Sequence, residues 1–69
     1  MQWNSERLKA LRGSYDHTQA QFAVLLGIST GTVKYWETGG PIPAMACKLL
    51  DRMEEDQRRE GKLRELEPA

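Results

Sequence analysis

The chain has 69 residues and a mass of 7.9 kDa, which allow one small domain and exclude a multidomain enzyme. Its 10 basic and 10 acidic residues give a formal net charge of zero, so any basic surface must be local. A single Cys, a single His and an apolar run no longer than residues 22–26 exclude an internal disulfide, a structural zinc site and a membrane span. We therefore expect a cytoplasmic protein with no cofactor, metal ion or membrane partner.

The first helix is predicted over residues 5–12 of a chain whose apolar residues recur at spacings of three and four, as in an all-α protein. Asn4 is a good N-cap, and Trp3 and Leu8 occupy the positions of a hydrophobic staple around it. Gly13 can adopt the left-handed conformation that commonly ends a helix. Trp3 is therefore expected in the core.

The second helix has the clearest start signal in the sequence. Thr18 and Gln21 form a capping box, in which each side chain accepts a hydrogen bond from the backbone amide of the other residue. Gly27 is expected to end this helix. The apolar face of the helix is predicted to consist of Phe22, Leu25 and Leu26.

A third helix follows after a turn of only a few residues. Ser29 is its predicted N-cap, and the helix is expected to continue to about Thr38. Val33 and Trp36 point to one side of it, which predicts that Trp36 lies in the core. Two helices of about eight residues, joined by a short turn that contains Gly, form a helix-turn-helix.

The fourth helix follows a turn at residues 39–43, where two glycines and two prolines exclude a helix interior. Pro43 suits the first position of the fourth helix, where a missing amide hydrogen does no harm. Cys47 is interpreted as a small buried residue. The inward stripe of this helix is predicted to comprise Ala46, Leu49, Leu50 and Met53.

Beyond Met53 the composition changes to mostly charged residues, and we place a domain boundary there. Residues 1–53 are expected to form the helix-turn-helix domain. Residues 54–69 are expected to form a charged, solvated C-terminal extension that is helical and then frays. Its first acidic residues are interpreted as exposed helix surface with partners at i+3 and i+4, the acidic set being Glu54, Glu55 and Asp56 and the partners Arg58 and Arg59.

The segment TQAQFAVLLGISTGTVKYWETG, residues 18–39, resembles the helix-turn-helix of the Cro and lambda-repressor type, the XRE family. The resemblance covers about residues 5–53 and depends on features in the family's order, namely Thr18, Gln19, Ala23, Gly27, Ser29, Val33, Trp36, Glu37 and Gly39. It implies an all-α, lambda-repressor-like bundle of four to five helices and a DNA-binding transcription regulator. His17 departs from the family's usual Leu, and it is interpreted as a partly buried partner of Phe22 or as a pH sensor.

The polar side of the third helix is the candidate DNA surface. A helix of about eight residues is roughly 13 Å long and fits a major groove about 12 Å wide. Thr30 offers a hydroxyl and a methyl group, Lys34 donates to guanine or phosphate, and Tyr35 contacts a thymine methyl or the DNA backbone. The predicted base contacts are Thr30, Gly31, Lys34, Tyr35 and Thr38.

Phosphate contacts are needed to hold such a helix in register. The resemblance assigns one to Gln19 at the start of the second helix, and Ser29 is similarly placed in the third. Lys9 and Lys48 are further candidates by charge alone.

The resemblance also implies an ion pair between Arg12 and Glu37, at the ends of the first and third helices. Removing one partner of such a partly buried pair costs on the order of 3 kcal/mol. We therefore expect Glu37→Ala to lower the melting temperature without changing the DNA surface.

One recognition helix reads about four base pairs, too few to select a site in a genome, so a homodimer on a palindromic double-stranded operator is expected. Its interface is predicted on the fourth helix and the extension, with Leu63 and Leu66. The chain is then a small prokaryotic or phage repressor, or an antitoxin that represses its own operon and also binds a toxin. The alternative is a protein-interaction module that keeps the scaffold without binding DNA. An enzyme is not expected, because no set of acid, base and nucleophile is present.

Overall fold

The computed structural model describes residues 3–61, which form four α-helices. They are α1 Ser5–Ser14, α2 Gln19–Leu26, α3 Thr30–Glu37 and α4 Ala44–Arg59. No strand occurs within residues 3–61, and the predicted all-α fold with a helix-turn-helix is confirmed. Residues 62–69, where the extension was expected to fray and which include Leu63 and Leu66, lie outside the described residues.

The core lies where the first three helices meet the middle of α4. α2 packs along α3, while α1 contacts both α3 and α4. Both tryptophans belong to this core, as predicted. Its fully or almost fully buried apolar side chains are Trp3, Leu8, Leu11, Phe22, Ala23, Val33, Trp36 and Leu50.

The first three helices begin at the caps that the sequence predicts. The Asn4 side chain accepts a hydrogen bond from the amide of Arg7, and Ser29 accepts one from the amide of Thr32. Both hydrogen bonds of the capping box at Thr18 are present. These contacts join residues only three positions apart, so each helix start is defined locally.

The end of α1 corrects the prediction made for Gly13. The helix continues through Gly13 to Ser14, and Asp16, with φ 57°, adopts the left-handed conformation instead. The amide of His17 then donates to the carbonyl of Arg12, and that of Asp16 to Gly13. This is the hydrogen-bond pattern of a Schellman motif, and Asp is among the few residues besides Gly that tolerate it.

Two apolar side chains expected in the core are half exposed. Leu25 of α2 is 49% exposed and Leu49 of α4 is 46% exposed. The small side chain of Ala23 is buried instead and belongs to the core. Pro43 is also displaced by one position, since it precedes α4 as its N-cap residue.

Helix α4 runs past residue 53 and remains part of the fold there. Glu54 and Gln57 are buried, so the interpretation of residue 54 as solvated surface is wrong. They continue the face of Leu50 at i+4 and i+7, which a search for apolar residues alone overlooks. Glu55 and Asp56 are exposed and both pair with Arg59, as expected.

The buried end of α4 is bound to α1 by polar contacts. Arg7 donates from Nε to Glu54 Oε2 at 2.9 Å and from Nη2 to Glu54 Oε1 at 2.7 Å. The hydrogen bond to Glu54 raises the pKa of Arg7 above its ordinary value, against the opposing effect of burial. The Gln57 amide donates to the carbonyl and the hydroxyl of Ser14. These contacts close α4 on α1.

Candidate nucleic-acid interface

Helix α3 divides into a buried side and an exposed side, as its sequence predicts. Val33 and Trp36 are buried in the core. Thr30 is partly exposed, and the remaining predicted base contacts are exposed, namely Gly31, Lys34, Tyr35 and Thr38. A cylinder with one polar, solvent-facing side is what entry into a major groove requires.

The turn before α3 is short because Gly27 reverses the chain with φ 75°. The amide of Ile28 donates to the carbonyl of Ala23 at 3.0 Å, and the amide of Gly27 to that of Val24 at 3.1 Å. These bonds satisfy the last carbonyls of α2. They hold the two helices in a fixed relation, so the exposed side of α3 is presented by a rigid unit.

One buried carboxylate joins the first three helices. Glu37 is only 4% exposed. Arg12 Nε lies 2.7 Å from Glu37 Oε2, and Arg12 Nη2 lies 3.2 Å from Oε1, so the ion pair implied by the resemblance is present. Arg12 also donates to the carbonyl of His17. A third hydrogen bond to the carboxylate comes from Gln19, whose Nε2 donates to Oε1 at 3.0 Å.

The contact of Gln19 with Glu37 was not predicted from the sequence, because Gln19 was interpreted there as a phosphate contact alone. Its side-chain amide is directed toward Glu37 at the end of α3. Glu37 is therefore connected to a predicted DNA contact, and the expectation that its removal leaves the DNA surface unchanged is revised. No signal along the chain shows that three helices converge on one carboxylate.

Two hydroxyl groups of the predicted interface are engaged within the protein. Thr38 Oγ1 donates to the carbonyls of Lys34 and Tyr35, so its hydrogen is directed back onto α3. Ser29 Oγ accepts from the amide of Thr32 and lies 2.8 Å from Thr32 Oγ1. Both hydroxyl groups therefore already have hydrogen-bond partners within the protein.

Charge at this surface is sparse. Residues 18–43 contain two charged side chains, Lys34 and Glu37, and the second is neutralised by Arg12. Lys34 therefore supplies the net charge of the helix-turn-helix. Lys9 and Lys48 are exposed on α1 and α4, and within residues 3–61 neither forms an ion pair.

The other candidate residues lie away from the exposed side of α3. His17 is partly buried, its ring stacks on Tyr15, and its buried Nδ1 has no hydrogen-bond partner within residues 3–61. Cys47 is partly buried, with Sγ 3.7 Å from the carbonyl of Ile42. Among the described residues, no group of His, Cys, Asp or Glu is arranged to hold a metal ion, and no helix is long and apolar enough to cross a bilayer.

An open apolar groove of about 210 Å³ separates the helix-turn-helix from the first half of α4. Met45 at its edge is 85% exposed. The groove is lined by Leu26, Ile28, Trp36, Met45, Ala46, Leu49 and Leu50.

Comparison with known proteins places these features in a family. A family model described as helix-turn-helix matches residues 8–51, which is more than half of the chain. The match includes most of α1, all of α2 and α3 and the first half of α4. No curated protein matches the chain significantly, and no solved structure does so either.

Proposed function

The chain belongs to the helix-turn-helix family of the Cro and lambda-repressor type, whose members are DNA-binding transcription regulators, and on this premise we propose that it is a sequence-specific repressor. It acts as a homodimer on a palindromic double-stranded operator. The observation that carries the proposal is the polar, exposed side of α3, held in place by the contacts of Arg12 and Gln19 with the buried Glu37.

Base recognition is assigned to the exposed side of α3. Lys34 donates to guanine or to phosphate, and Thr30 and Tyr35 contact base edges or thymine methyl groups. Gly31 contributes by having no side chain, since a Cβ there meets only Ser29 Oγ, at 3.9 Å, and otherwise open space. The backbone of α3 can therefore approach the floor of the groove closely at this residue.

Phosphate binding is assigned chiefly to helix N-termini. Gln19 and Ser29 stand at the first turns of α2 and α3, where unpaired backbone amides attract anions. Lys9 and Lys48 add charge from the flanking helices. Because so few cations are available, we expect about three to five phosphates to be neutralised per subunit and a correspondingly shallow dependence of affinity on salt.

Dimerisation is assigned to α4 together with residues 62–69. Met45 and Leu49 are exposed on α4, and a second copy would cover them. Two recognition helices then read half-sites about 34 Å apart, which supplies the specificity that one helix lacks. An antitoxin that represses its own operon is a variant of the same proposal, and its toxin would have to bind the same small body.

Selection of binding sites from random oligonucleotides tests the proposal, and we expect a palindrome. The double variant Lys34→Ala, Tyr35→Ala is expected to bind the selected site at the nonspecific level while retaining its helical content and melting temperature. Arg59→Ala is the charge-matched control, because Arg59 is exposed on α4 and its ion pairs among the described residues are with Glu55 and Asp56 of the same helix. If the wild type retards no DNA in an electrophoretic mobility shift experiment at low salt, the proposal is contradicted and a protein-interaction module is favoured.

A further inference from the structure

Tyr35 is the largest side chain on the exposed side of α3, and its ring lies directly over the backbone of Gly40. A Cβ built on Gly40 would be 2.6 Å from Cδ2 and Cε2 of the ring and 2.7 Å from Cζ. Carbon atoms do not approach this closely without displacement. The present position of the Tyr35 ring therefore depends on the absence of a side chain at residue 40.

The way in which α3 ends brings these two residues together. Gly39, with φ 105°, reverses the chain, and its amide donates to the carbonyl of Trp36. The amide of Gly40 donates to the carbonyl of Tyr35 at 2.8 Å. This pair of bonds is a Schellman motif, in which the residue after the reversal lies against the third residue from the helix end.

The two glycines of this turn serve different purposes. Gly39 needs its left-handed backbone, whereas Gly40 is not among the residues with positive φ. Alanine at position 40 is therefore compatible with the backbone, and the three nearest atoms that its Cβ would meet belong to the Tyr35 ring. A ring on a rotatable side chain can move aside, so the expected consequence of a Cβ is a displaced Tyr35 and an intact fold.

We propose that Gly40 is a positioning residue for DNA recognition, because it lets the Tyr35 ring pack on the turn and presents Tyr35 to the operator in one orientation. The proposal rests on the function assigned above to α3. With one side of the ring against Gly40 and the side chain still 57% exposed, Tyr35 is ordered before DNA arrives. An ordered side chain loses less conformational freedom on binding, so this arrangement favours affinity at the base pairs that Tyr35 contacts.

The test compares Gly40→Ala in the wild type and in a Tyr35→Ala background. Affinity is measured by fluorescence anisotropy for the selected operator and for versions of it with single base-pair changes. In the wild type we expect Gly40→Ala to weaken operator binding about tenfold, which is a usual coupling between two residues in direct contact. We also expect a weaker preference among bases at the positions that Tyr35 contacts. In the Tyr35→Ala background it should have no further effect.

A second measurement reads the position of Tyr35 without DNA. The ring proton resonances of Tyr35 should shift in Gly40→Ala, whereas Gly13→Ala should leave them in place, since a Cβ on Gly13 meets nothing within 4 Å. Unchanged resonances, or an equal loss of affinity in both backgrounds, would overturn the inference. If Gly40→Ala does not fold, the double variant must fold, because the obstructing ring is gone, and an unfolded double variant would also overturn it. Failure of the wild type to bind DNA would refute the proposed function, while the resonances would still decide whether Gly40 positions Tyr35.

Discussion

Two buried glutamates, each paired with an arginine of α1, bind the first and the last turn of that helix. Glu37 of α3 accepts hydrogen bonds from Arg12 and Gln19, and Glu54 in the second half of α4 accepts them from Arg7. Both carboxylates are almost completely shielded from solvent. The chemistry is the same, but only the first carboxylate touches a residue assigned to DNA.

The surroundings of the two pairs explain the difference. The guanidinium of Arg7 lies 4.0 Å from the ring centre of Trp3, and Asp51 accepts hydrogen bonds from both residues. Arg58 lies 3.4 Å from Glu54 on the other side. These groups belong to α4, to the first turn of α1 and to Trp3 just before it, and none of them belongs to α2 or α3. We therefore expect the removal of Glu37 to affect both stability and the proposed DNA binding, and the removal of Glu54 to affect stability alone.

The largest loss of stability is expected for Glu54→Ala. It leaves the largely buried guanidinium of Arg7, 14% exposed, without its bidentate partner, and removing one member of such a pair costs about 3–5 kcal/mol. Urea denaturation measures the change in the free energy of unfolding. Glu55→Ala is the neighbouring control, because this exposed side chain pairs with the equally exposed Arg59, and its removal should change stability by less than about 1 kcal/mol. If the folded fraction of Glu54→Ala bound the operator more weakly, the separation between the two ends would be contradicted.

A somewhat smaller loss of stability, accompanied by weaker DNA binding, is expected for Glu37→Ala. The Arg12 side chain is 25% exposed, against 14% for Arg7, so water compensates more of the lost pairing and we expect a loss of about 3 kcal/mol. Gln19 loses its acceptor at the same time, and the first turn of α2 is no longer held beside α3. Binding measured at a temperature where both proteins are folded should therefore weaken. Binding equal to that of the wild type would show that Gln19 needs no support from Glu37.

The smallest effect on stability is expected at Tyr15, which directly follows the last turn of α1. Its ring packs on His17 and Phe22, and burial, followed by the charges of Asp56 and Glu60, raises its pKa above the ordinary value of 10.0. Because the folded state holds the proton more tightly, this contribution to stability is complete below pH 10.0 and is lost as the pH rises through the folded pKa.

The difference between the wild type and Tyr15→Phe isolates this contribution from other alkaline titrations. The stability of the wild type should fall more steeply above pH 10.0 than that of the variant, as followed by urea denaturation at a series of pH values. Parallel curves would show that Tyr15 titrates equally in the folded and unfolded chains.

The helix-turn-helix and its exposed side were predictable because their signals are short. Thr18 and Gln21 cap α2 across three residues, and Gly27 reverses the chain at a single position. The burial of Val33 and the exposure of Lys34 on α3 follow from helical periodicity alone. The candidate DNA surface was therefore identified from the sequence, although the inward contact of Gln19 was not.

The contacts of α4 were not predictable in the same way, because they join residues far apart in the chain. Arg7 and Glu54 are 47 positions apart, and Gln57 and Ser14 are 43 positions apart. A polar residue on a helix face is expected in solvent unless a partner reaches it, and no local pattern announces such a partner. The composition change at residue 54 therefore suggested a solvated extension where the helix is in fact bound to α1.

The amino-acid sequence alone determined where the first three helices start, because their caps act over a few residues. Helical periodicity likewise determined most of the apolar core and the polar side of α3. Packing among the helices decided what could not be inferred locally: the burial of Glu54 and Gln57, the exposure of Leu25 and the convergence on Glu37. The physical reason is that burying a charge or an amide is favourable only when a partner is brought to it, and the fold as a whole supplies that partner.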